Sequence, residues 1–210
     1  FVVNTECRNF SYDILKAIPG LVFRSDGKIV KNPAEFIPDL DSIPFPRWDI
    51  MPPASYPKSP HGAFFRQFPY AAMYATRGCP FPCTFCAASR VSGKSIRHRS
   101  LENIMEEIKL LRNNYGVKEI HFEDDNFSVK KKLLVEFCET LLKEDLNITW
   151  CFPNGLRLEM LDLDDLRLMH RAGCYAVNVG VESGSDRILK RMKKGITTEK
   201  MRESIARVKR

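Results

Sequence analysis

The strongest constraint on the fold of this chain is an alternation of strand-like and helix-like segments that begins near Tyr70. Short apolar runs are separated by segments in which apolar residues recur at helical spacing. Such alternation with short connections predicts right-handed crossovers and a parallel sheet. The candidate strands are residues 71–75, 117–122, 148–152 and 175–181. The sequence therefore predicts an α/β domain with four strand–helix units.

The segments that follow these strands carry helix signals. Ser100 precedes a run of helical periodicity, and serine is a preferred N-cap. Gly116 follows the same run and predicts the end of that helix. The other helices are expected around residues 133–142, 161–171, 188–192 and 201–208.

The chain before residue 70 has a different character. Residues 1–32 resemble a small α/β piece, with a strand ending at residues 1–4, a helix over 12–18 and a hairpin about Ser25-Asp26-Gly27. Residues 33–60 hold eight prolines in 28 positions, which disfavours both helix and central strand. We therefore expect three segments, namely a small α/β remnant over 1–32, a proline-rich linker over 33–69 and the main domain over 70–210.

Three clustered cysteines follow the first strand of the main domain, and functional side chains of parallel α/β folds gather at the carboxyl ends of strands. Cys79, Cys83 and Cys86 have the spacing Cys-x3-Cys-x2-Cys, and Pro80 and Pro82 between them favour a loop. Three thiolates this close in sequence can ligate three irons of one cubane cluster. Since no fourth cysteine is near, one iron is left for a chelating ligand.

Other roles for the cysteines stay open at this point. The odd total of seven, without a secretion signal, argues against a disulfide framework. Structural zinc sites usually combine two cysteine pairs, or cysteines with histidines, and this triad does neither. A cluster that only carries electrons would need a fourth ligand, which a distant residue such as Cys151 or Cys174 could supply.

The Cys-x3-Cys-x-Phe-Cys loop after a first strand resembles the signature of radical S-adenosylmethionine enzymes, and the resemblance covers roughly residues 70–210. It implies that Cys79, Cys83 and Cys86 bind a [4Fe–4S] cluster whose open iron is chelated by S-adenosylmethionine. It also implies reductive cleavage of that molecule to methionine and a 5′-deoxyadenosyl radical. The implied fold is a partial (β/α) TIM-like barrel of four βα units.

The resemblance also places cofactor contacts near the cysteine loop. Phe85 occupies the position of an aromatic residue that contacts the adenine. The acidic run Glu123, Asp124 and Asp125 stands where the family has a Gly-Gly-Glu-like motif that contacts the amino group of S-adenosylmethionine. Carboxylates suit an ammonium group, although an N-cap for the following helix explains these residues equally well.

Two later loops supply the remaining candidates that the resemblance implies. Asn154 and Arg157 follow the third strand and could meet the methionyl carboxylate or the ribose, while Arg157 could equally pair with Glu159. Glu182 and Ser183 follow the fourth strand, in a motif that resembles one lining the cofactor pocket. A turn before the next helix is the alternative explanation for that motif.

The amino-terminal part resembles one branch of the family. Residues 20–30 and the proline-rich residues 39–46 are similar to the junction between a Rossmann-like cobalamin-binding domain and the radical barrel. The resemblance implies that residues 1–32 are the tail of such a domain. It implies a methyltransferase or an oxidative cyclase, with cobalamin held by an upstream domain. No Asp-x-His-x-x-Gly cobalamin motif occurs in the chain itself.

The expected partners are a small-molecule substrate and a reductase, such as flavodoxin or ferredoxin, that donates electrons. Two other functions stay open, namely RNA modification of the methylthiotransferase type and non-catalytic electron transfer. Ten of the 33 basic residues lie in residues 187–210, against two acidic ones, so the net charge of +7 is local. A solvated helical face explains it better than nucleic-acid binding does.

We expect a cytoplasmic protein. The first residues lack the basic flank and the apolar stretch of a signal peptide. No apolar run approaches the roughly 18–20 residues that a membrane-spanning helix needs.

Overall fold

The computed structural model describes residues 11–60 and 64–209, and the chain forms two compact units, Phe1–Pro38 and Asp39–Arg210. The division falls inside the predicted 33–69 linker, and the rest of that segment belongs to the second unit. The strand end predicted at residues 1–4, together with Cys7, lies outside the described residues. The assignment of residues 1–32 to a cobalamin-binding-like domain stays a prediction.

The first unit contains one helix and one hairpin, as the sequence predicts. Helix α1 covers Tyr12–Ala17, and strands β1 (Val22–Ser25) and β2 (Lys28–Lys31) pair antiparallel. The two residues between them, Asp26 and Gly27, have φ values of 46° and 75°. Positive φ at both positions is what a two-residue hairpin turn requires, so an Asp-Gly pair suits this turn.

The second unit is built on a parallel sheet of four strands that follow one another in sequence order. These strands are β3 (Tyr70–Met73), β6 (Glu119–Phe122), β7 (Thr149–Phe152) and β8 (Cys174–Val177). In the register, Tyr70 lies beside Glu119, and Glu119 lies beside Thr149. Strand–helix alternation therefore predicted the α/β class and the parallel sheet correctly.

Two strands of two residues each were not predicted. Strand β4 (Thr76–Arg77) pairs antiparallel with β5 (Arg97–His98). The pair joins the two ends of the segment that contains the clustered cysteines. Strands of two residues have no periodicity to detect, so they could not be predicted from the sequence pattern.

Helices connect the strands and begin and end close to the predicted residues. Their bounds are α2 (Ala88–Val91), α3 (Leu101–Tyr115), α4 (Lys131–Glu144), α5 (Leu163–Arg171), α6 (Asp186–Arg191) and α7 (Thr198–Val208). The Ser100 hydroxyl caps α3 by accepting from the backbone N–H of Asn103 at 3.1 Å, and Gly116 ends the helix at φ 64°. Within the described residues, no helix has the length and apolar character to cross a bilayer.

The fourth strand is the largest departure from prediction. It was expected over residues 175–181 with both faces covered, but it ends at Val177, and Ala176 is exposed. Beyond it the backbone turns tightly, because the N–H of Val181 donates to Val179 and that of Ser183 to Val181. The strand has one neighbour in the described sheet, so an apolar run here does not indicate burial on both faces.

One face of the sheet packs against the helices through an aromatic cluster. Phe122, Phe127, Phe137, Trp150 and Phe152 are at most 2% exposed, and their ring centroids lie 5.3–6.4 Å apart. Most of these pairs meet edge to face, the geometry that aromatic quadrupoles favour. This cluster fixes the sheet, and the sheet in turn positions the loops at its carboxyl end.

The opposite face of the sheet is organised by the fully buried carboxylate of Glu119. It accepts hydrogen bonds from His121 Nε2 at 2.7 Å, from the Tyr175 hydroxyl at 2.6 Å, and from the backbone N–H groups of Arg66 and Gln67 at 2.9 and 2.7 Å. Burial alone would raise the pKa of Glu119, but these donors outweigh it and the pKa is lowered. Glu119 thereby holds the segment before β3 across this face.

The aromatic cluster gives a stability prediction. Phe122→Ala should lower the free energy of unfolding by about 3–5 kcal/mol, because the cavity cannot close among rigid rings. The control Phe64→Ala, at a side chain that is 85% exposed, should change it by less than about 0.5 kcal/mol. Equilibrium denaturation measures both. Equal effects from the two variants would show that the cluster does not stabilise the sheet.

Candidate functional site

The cysteine loop starts at the carboxyl end of β3, and the carboxylate of Asp124 anchors it there. Asp124 follows β6, is 1% exposed, and accepts from the backbone N–H groups of Ala75 and Thr76 and from the Thr76 hydroxyl at 2.6 Å. Burial raises the pKa of Asp124 to about 6, although the Thr76 and Ala75 donors oppose the rise. This placement favours a positioning role over the direct cofactor contact that the sequence predicted for Asp124.

The next carboxylate fixes the residue that directly precedes the cysteines. Asp125 Oδ2 accepts from the backbone N–H of Gly78 at 3.1 Å. Gly78 has φ 101°, and a Cβ there would overlap the carbonyl oxygen of Ser95. Only glycine fits this close approach without strain. Asp124 and Asp125 therefore fix the start of the cysteine loop at two points, the first at Thr76 and the second at Gly78.

Backbone hydrogen bonds hold the loop itself. The N–H of Cys79 donates to the carbonyl of Gly93 at 3.0 Å, and that of Cys86 donates to the carbonyl of Cys83 at 3.3 Å. The N–H of Ala88 donates to the sulfur of Cys86 at 3.4 Å. These bonds fold the three cysteines into one compact loop.

None of the three thiols of the loop is fully buried. Cys79 and Cys83 are half-buried and Cys86 is exposed. The pKa of Cys79 is raised, chiefly by burial and further by the nearby Cys86, Asp125 and Cys83. By contrast, burial raises the pKa of Cys138 and of Cys151 to about 12. Among the described cysteines, the three of the loop are thus the ones that a metal can reach.

The donor set fits a polynuclear cluster better than a zinc ion. Zinc–sulfur bonds of about 2.3 Å would bring ligand sulfurs within about 4 Å of each other. Among the described residues, the three loop sulfurs do not all lie within 4.8 Å of one another. Sulfurs bound to separate irons of one cubane need the wider separation. The loop sulfurs are therefore spread more widely than the ligands of one zinc ion.

The two cysteines considered as a fourth ligand lie within strands. Cys174 is the first residue of β8, at the opposite end of the sheet from the loop. Cys151 is buried in β7, where the Tyr175 hydroxyl lies 3.6 Å from its sulfur. Within residues 11–60 and 64–209, no fourth cysteine lies beside the loop. This geometry disfavours a four-cysteine electron carrier.

Arg157, predicted as a cofactor ligand, supports the middle of the loop from the other side. Its guanidinium lies 3.8 Å from the ring centroid of Phe81, which stands between Cys79 and Cys83. It also donates to the carbonyl of Lys194 at 2.6 Å and to the carboxylate of Glu159 at 2.6 Å. The predicted alternative, pairing with Glu159, is confirmed, and Arg157 also clamps the loop to the segment after α6.

Glu123 is the acidic residue that remains available for a ligand. It is half-buried at the carboxyl end of β6, and its carboxylate has no hydrogen-bond or ion-pair partner among the described residues. Its backbone carbonyl accepts from the amide of Asn154 at 3.0 Å. Asn154 therefore braces Glu123, although its side chain is exposed.

Lys194 is a residue that the sequence analysis missed. Its ammonium pairs with Glu182 at 3.0 Å and lies 5.6 Å from the ring centroid of Phe85, whose side chain is 48% exposed. The Ser183 hydroxyl accepts from the backbone N–H of Ser185 at 3.1 Å, which is the turn that was considered as an alternative. Lys194 lies in the basic segment after α6, and its sequence pattern indicates a solvated helical face instead of a ligand contact.

A second set of possible metal ligands lies inside the sheet and is already satisfied. Glu119, His121 and Cys151 have ligand atoms within 4.8 Å of one another, and all three are buried. The carboxylate of Glu119 already accepts from five donors, and the thiol of Cys151 is held protonated by its raised pKa. We therefore assign this cluster a structural role.

Comparisons with known proteins show what this chain is similar to. The family model described as the Radical SAM superfamily matches residues 73–210. An uncharacterized methyltransferase of Pyrococcus horikoshii is 34% identical over 197 residues, which cover 93% of this chain and 41% of that protein. The anaerobic magnesium-protoporphyrin IX monomethyl ester cyclase of a Synechocystis species is 29% identical over 196 residues, with coverages of 93% and 38%.

A solved structure shares the fold. The cobalamin-dependent S-adenosylmethionine radical enzyme OxsB, with aqua-cobalamin and S-adenosylmethionine bound, superposes with a TM-score of 0.71 at 22% identity. The match covers 93% of this chain and 29% of that chain. The chain thus spans less than half the length of the curated relatives that it matches.

The buried carboxylate of Asp124 predicts a pH effect. In the folded protein the pKa of Asp124 is raised from 3.8 to about 6, so the folded state binds this proton more tightly than the unfolded chain does. The stability that this proton contributes is lost as the pH rises through about 6. Between about pH 4 and 7, the free energy of unfolding of the wild type should therefore fall relative to Asp124→Asn, by on the order of 3 kcal/mol. Parallel stability curves in denaturant titrations would contradict this assignment.

The clamp formed by Arg157 predicts a change in thiol protection. Arg157→Met removes the stacking on Phe81 and the bond to Lys194, worth about 1–2 kcal/mol together. In cluster-free protein, alkylation of Cys79 and Cys83 should become about tenfold faster, as read by peptide mass spectrometry. The exposed control Arg167→Met should leave these rates unchanged. Equal alkylation rates in the Arg157→Met and Arg167→Met variants would show that Arg157 does not support the loop.

Proposed function

Because this chain belongs to the Radical SAM superfamily, we propose that Cys79, Cys83 and Cys86 bind a [4Fe–4S] cluster and that the neighbouring loops hold S-adenosylmethionine for reductive cleavage. The observation that carries the proposal is a compact and accessible cysteine triad with no fourth described cysteine beside it. Such a triad leaves one iron of a cubane for a non-protein ligand.

When bound, the reduced cluster supplies the electron that cleaves S-adenosylmethionine to methionine and a 5′-deoxyadenosyl radical. The chain's own residues place that molecule. Glu123 offers an unpaired carboxylate to the methionyl ammonium, and Lys194 offers an ammonium to the methionyl carboxylate. The exposed ring of Phe85 offers a face to the adenine. These three groups lie on the loops that surround the cysteine triad.

The remaining polar candidates support these contacts. Asp124 and Asp125 fix the start of the loop, and Asn154 braces Glu123 through its backbone carbonyl. Glu182 keeps the ammonium of Lys194 beside Phe85. Ser183 is proposed to line the same pocket. Within this proposal, Arg157 acts on the loop and not on the cofactor.

We further propose that the parent protein uses this radical chemistry for cobalamin-dependent methyl transfer or for an oxidative cyclisation of a small molecule. The support is the similarity to a methyltransferase and a cyclase, and to OxsB, which is a cobalamin-dependent enzyme. In this proposal, the four strand–helix units are part of a (β/α) barrel. Residues 1–32 end a Rossmann-like domain that binds cobalamin, and the protein is cytoplasmic.

The proposal is tested on the full-length protein after anaerobic reconstitution. The wild type should hold about four irons per chain and show a spectral change when S-adenosylmethionine is added. Cys83→Ala should form 5′-deoxyadenosine at least about 100-fold more slowly after dithionite reduction, because a metal ligand is lost. The control Cys138→Ala removes a buried thiol far from the loop and should keep both iron and activity.

Two results would contradict the proposal. Unchanged 5′-deoxyadenosine formation by Cys83→Ala would show that the triad is not the cluster site. An intact cluster in the wild type that does not respond to S-adenosylmethionine would indicate a non-catalytic electron carrier. If the wild type acts on transfer RNA instead of a small molecule, the radical chemistry stands, but the protein is an RNA-modifying enzyme.

A further inference from the structure

Two stretches of the second unit are rich in cations and contain no acidic residue. Residues 77–100 carry five lysines or arginines, and residues 187–195 carry five more, without one aspartate or glutamate in either stretch. The first stretch contains the whole cysteine loop. Clustering of one sign of charge creates a local potential that attracts an oppositely charged partner.

Both stretches meet at the cysteine loop. The backbone N–H of Cys79 donates to Gly93 at 3.0 Å, which places the turn after α2 beside the first cysteine. On the other side, the N–H of Thr84 donates to the carbonyl of Met192 at 3.0 Å, which places the end of α6 beside the last two. Both cationic segments therefore contact the loop directly.

Four of these cations are exposed and available. Arg90 and Lys94 lie on the first segment, and Arg191 and Lys193 lie on the second. Among the described residues, none of the four has an ion pair or a side-chain hydrogen bond. Other cations nearby are engaged, since Arg99 pairs with Glu107 and Lys194 with Glu182. We call these four residues the basic rim.

We propose that the basic rim docks an acidic one-electron carrier protein against the cysteine loop. This inference rests on the proposed function, which requires one electron at the loop for each cleavage of S-adenosylmethionine. In the docked complex, the reduced carrier loses one electron and the cluster held by the loop gains it, and no bond of the carrier is broken. Opposite charge on the two surfaces steers the encounter and fixes its register.

The position of the rim favours a redox partner over nucleic acid. The cations lie on two segments that are hydrogen-bonded to the loop of the exposed Cys86, and electron transfer requires close approach to that loop. Nucleic-acid surfaces usually combine a longer basic stripe with aromatic stacking platforms. The exposed aromatic ring beside the rim, Phe85, is already assigned to the adenine of S-adenosylmethionine.

The test uses the full-length holoprotein and a purified flavodoxin of net negative charge. Isothermal titration calorimetry at low salt should show a complex that weakens steeply as salt is added. The paired variants Arg90→Glu/Lys94→Glu and Arg191→Glu/Lys193→Glu should each weaken it at least about tenfold. The control pair Arg112→Glu/Lys143→Glu, in the last turns of α3 and α4 at the opposite end of the sheet, should stay within about twofold.

A second readout separates docking from chemistry. Cleavage of S-adenosylmethionine driven by dithionite, which needs no docking surface, should be the same in the rim variants and the wild type. Cleavage driven by the reduced flavodoxin should fall with the binding. If charge reversal disturbs the loop and iron content falls, the glutamine versions of the same pairs replace the glutamate variants.

Each outcome bears on one claim. Unchanged flavodoxin binding in both rim variants overturns the docking proposal and leaves the radical chemistry intact. If the rim variants lose binding to bulk transfer RNA but keep binding to flavodoxin, the rim is a nucleic-acid surface and the docking proposal is overturned. Absence of dithionite-driven cleavage in the wild type refutes the proposed function, while the calorimetric result still reports on the surface.

Discussion

The buried carboxylate of Asp124 is the point at which the sheet controls the cysteine loop. It belongs to the turn after β6, yet it binds the backbone of Ala75 and Thr76 after β3. A carboxylate without solvent needs such donors, because a buried charge without partners is strongly unfavourable. The loop that begins two residues later is therefore fixed to the sheet, which packs against the helices through the aromatic cluster around Phe122.

A loop with three ligands needs support at more than its start, because ligand positions must be held to a fraction of an ångström. The structure provides this support by Asp125 at Gly78, by Arg157 at Phe81 and by Met192 at Thr84. All of these contacts are distant in sequence, and all come from segments that follow later strands. The parallel sheet brings these segments together at the cysteine loop.

The α/β class, the parallel sheet and most helix bounds were predictable because they depend on local periodicity and caps, such as Ser100 and Gly116. The cysteine triad was predictable because its ligands are adjacent in sequence. The role of Asp124, the clamp by Arg157 and the ammonium of Lys194 were not, because each depends on a contact between segments far apart in the chain. The short β8 was mispredicted because apolar character does not distinguish an edge strand from a central one.

In the proposed function, one iron at the cysteine triad lacks a protein ligand and binds S-adenosylmethionine. Mössbauer spectroscopy of the anaerobic protein reconstituted with 57Fe reports on that iron. We expect a [4Fe–4S] spectrum in which one iron of the four changes its isomer shift when S-adenosylmethionine is added. Four irons that stay unchanged on that addition, or a site that holds zinc in place of iron, would contradict it.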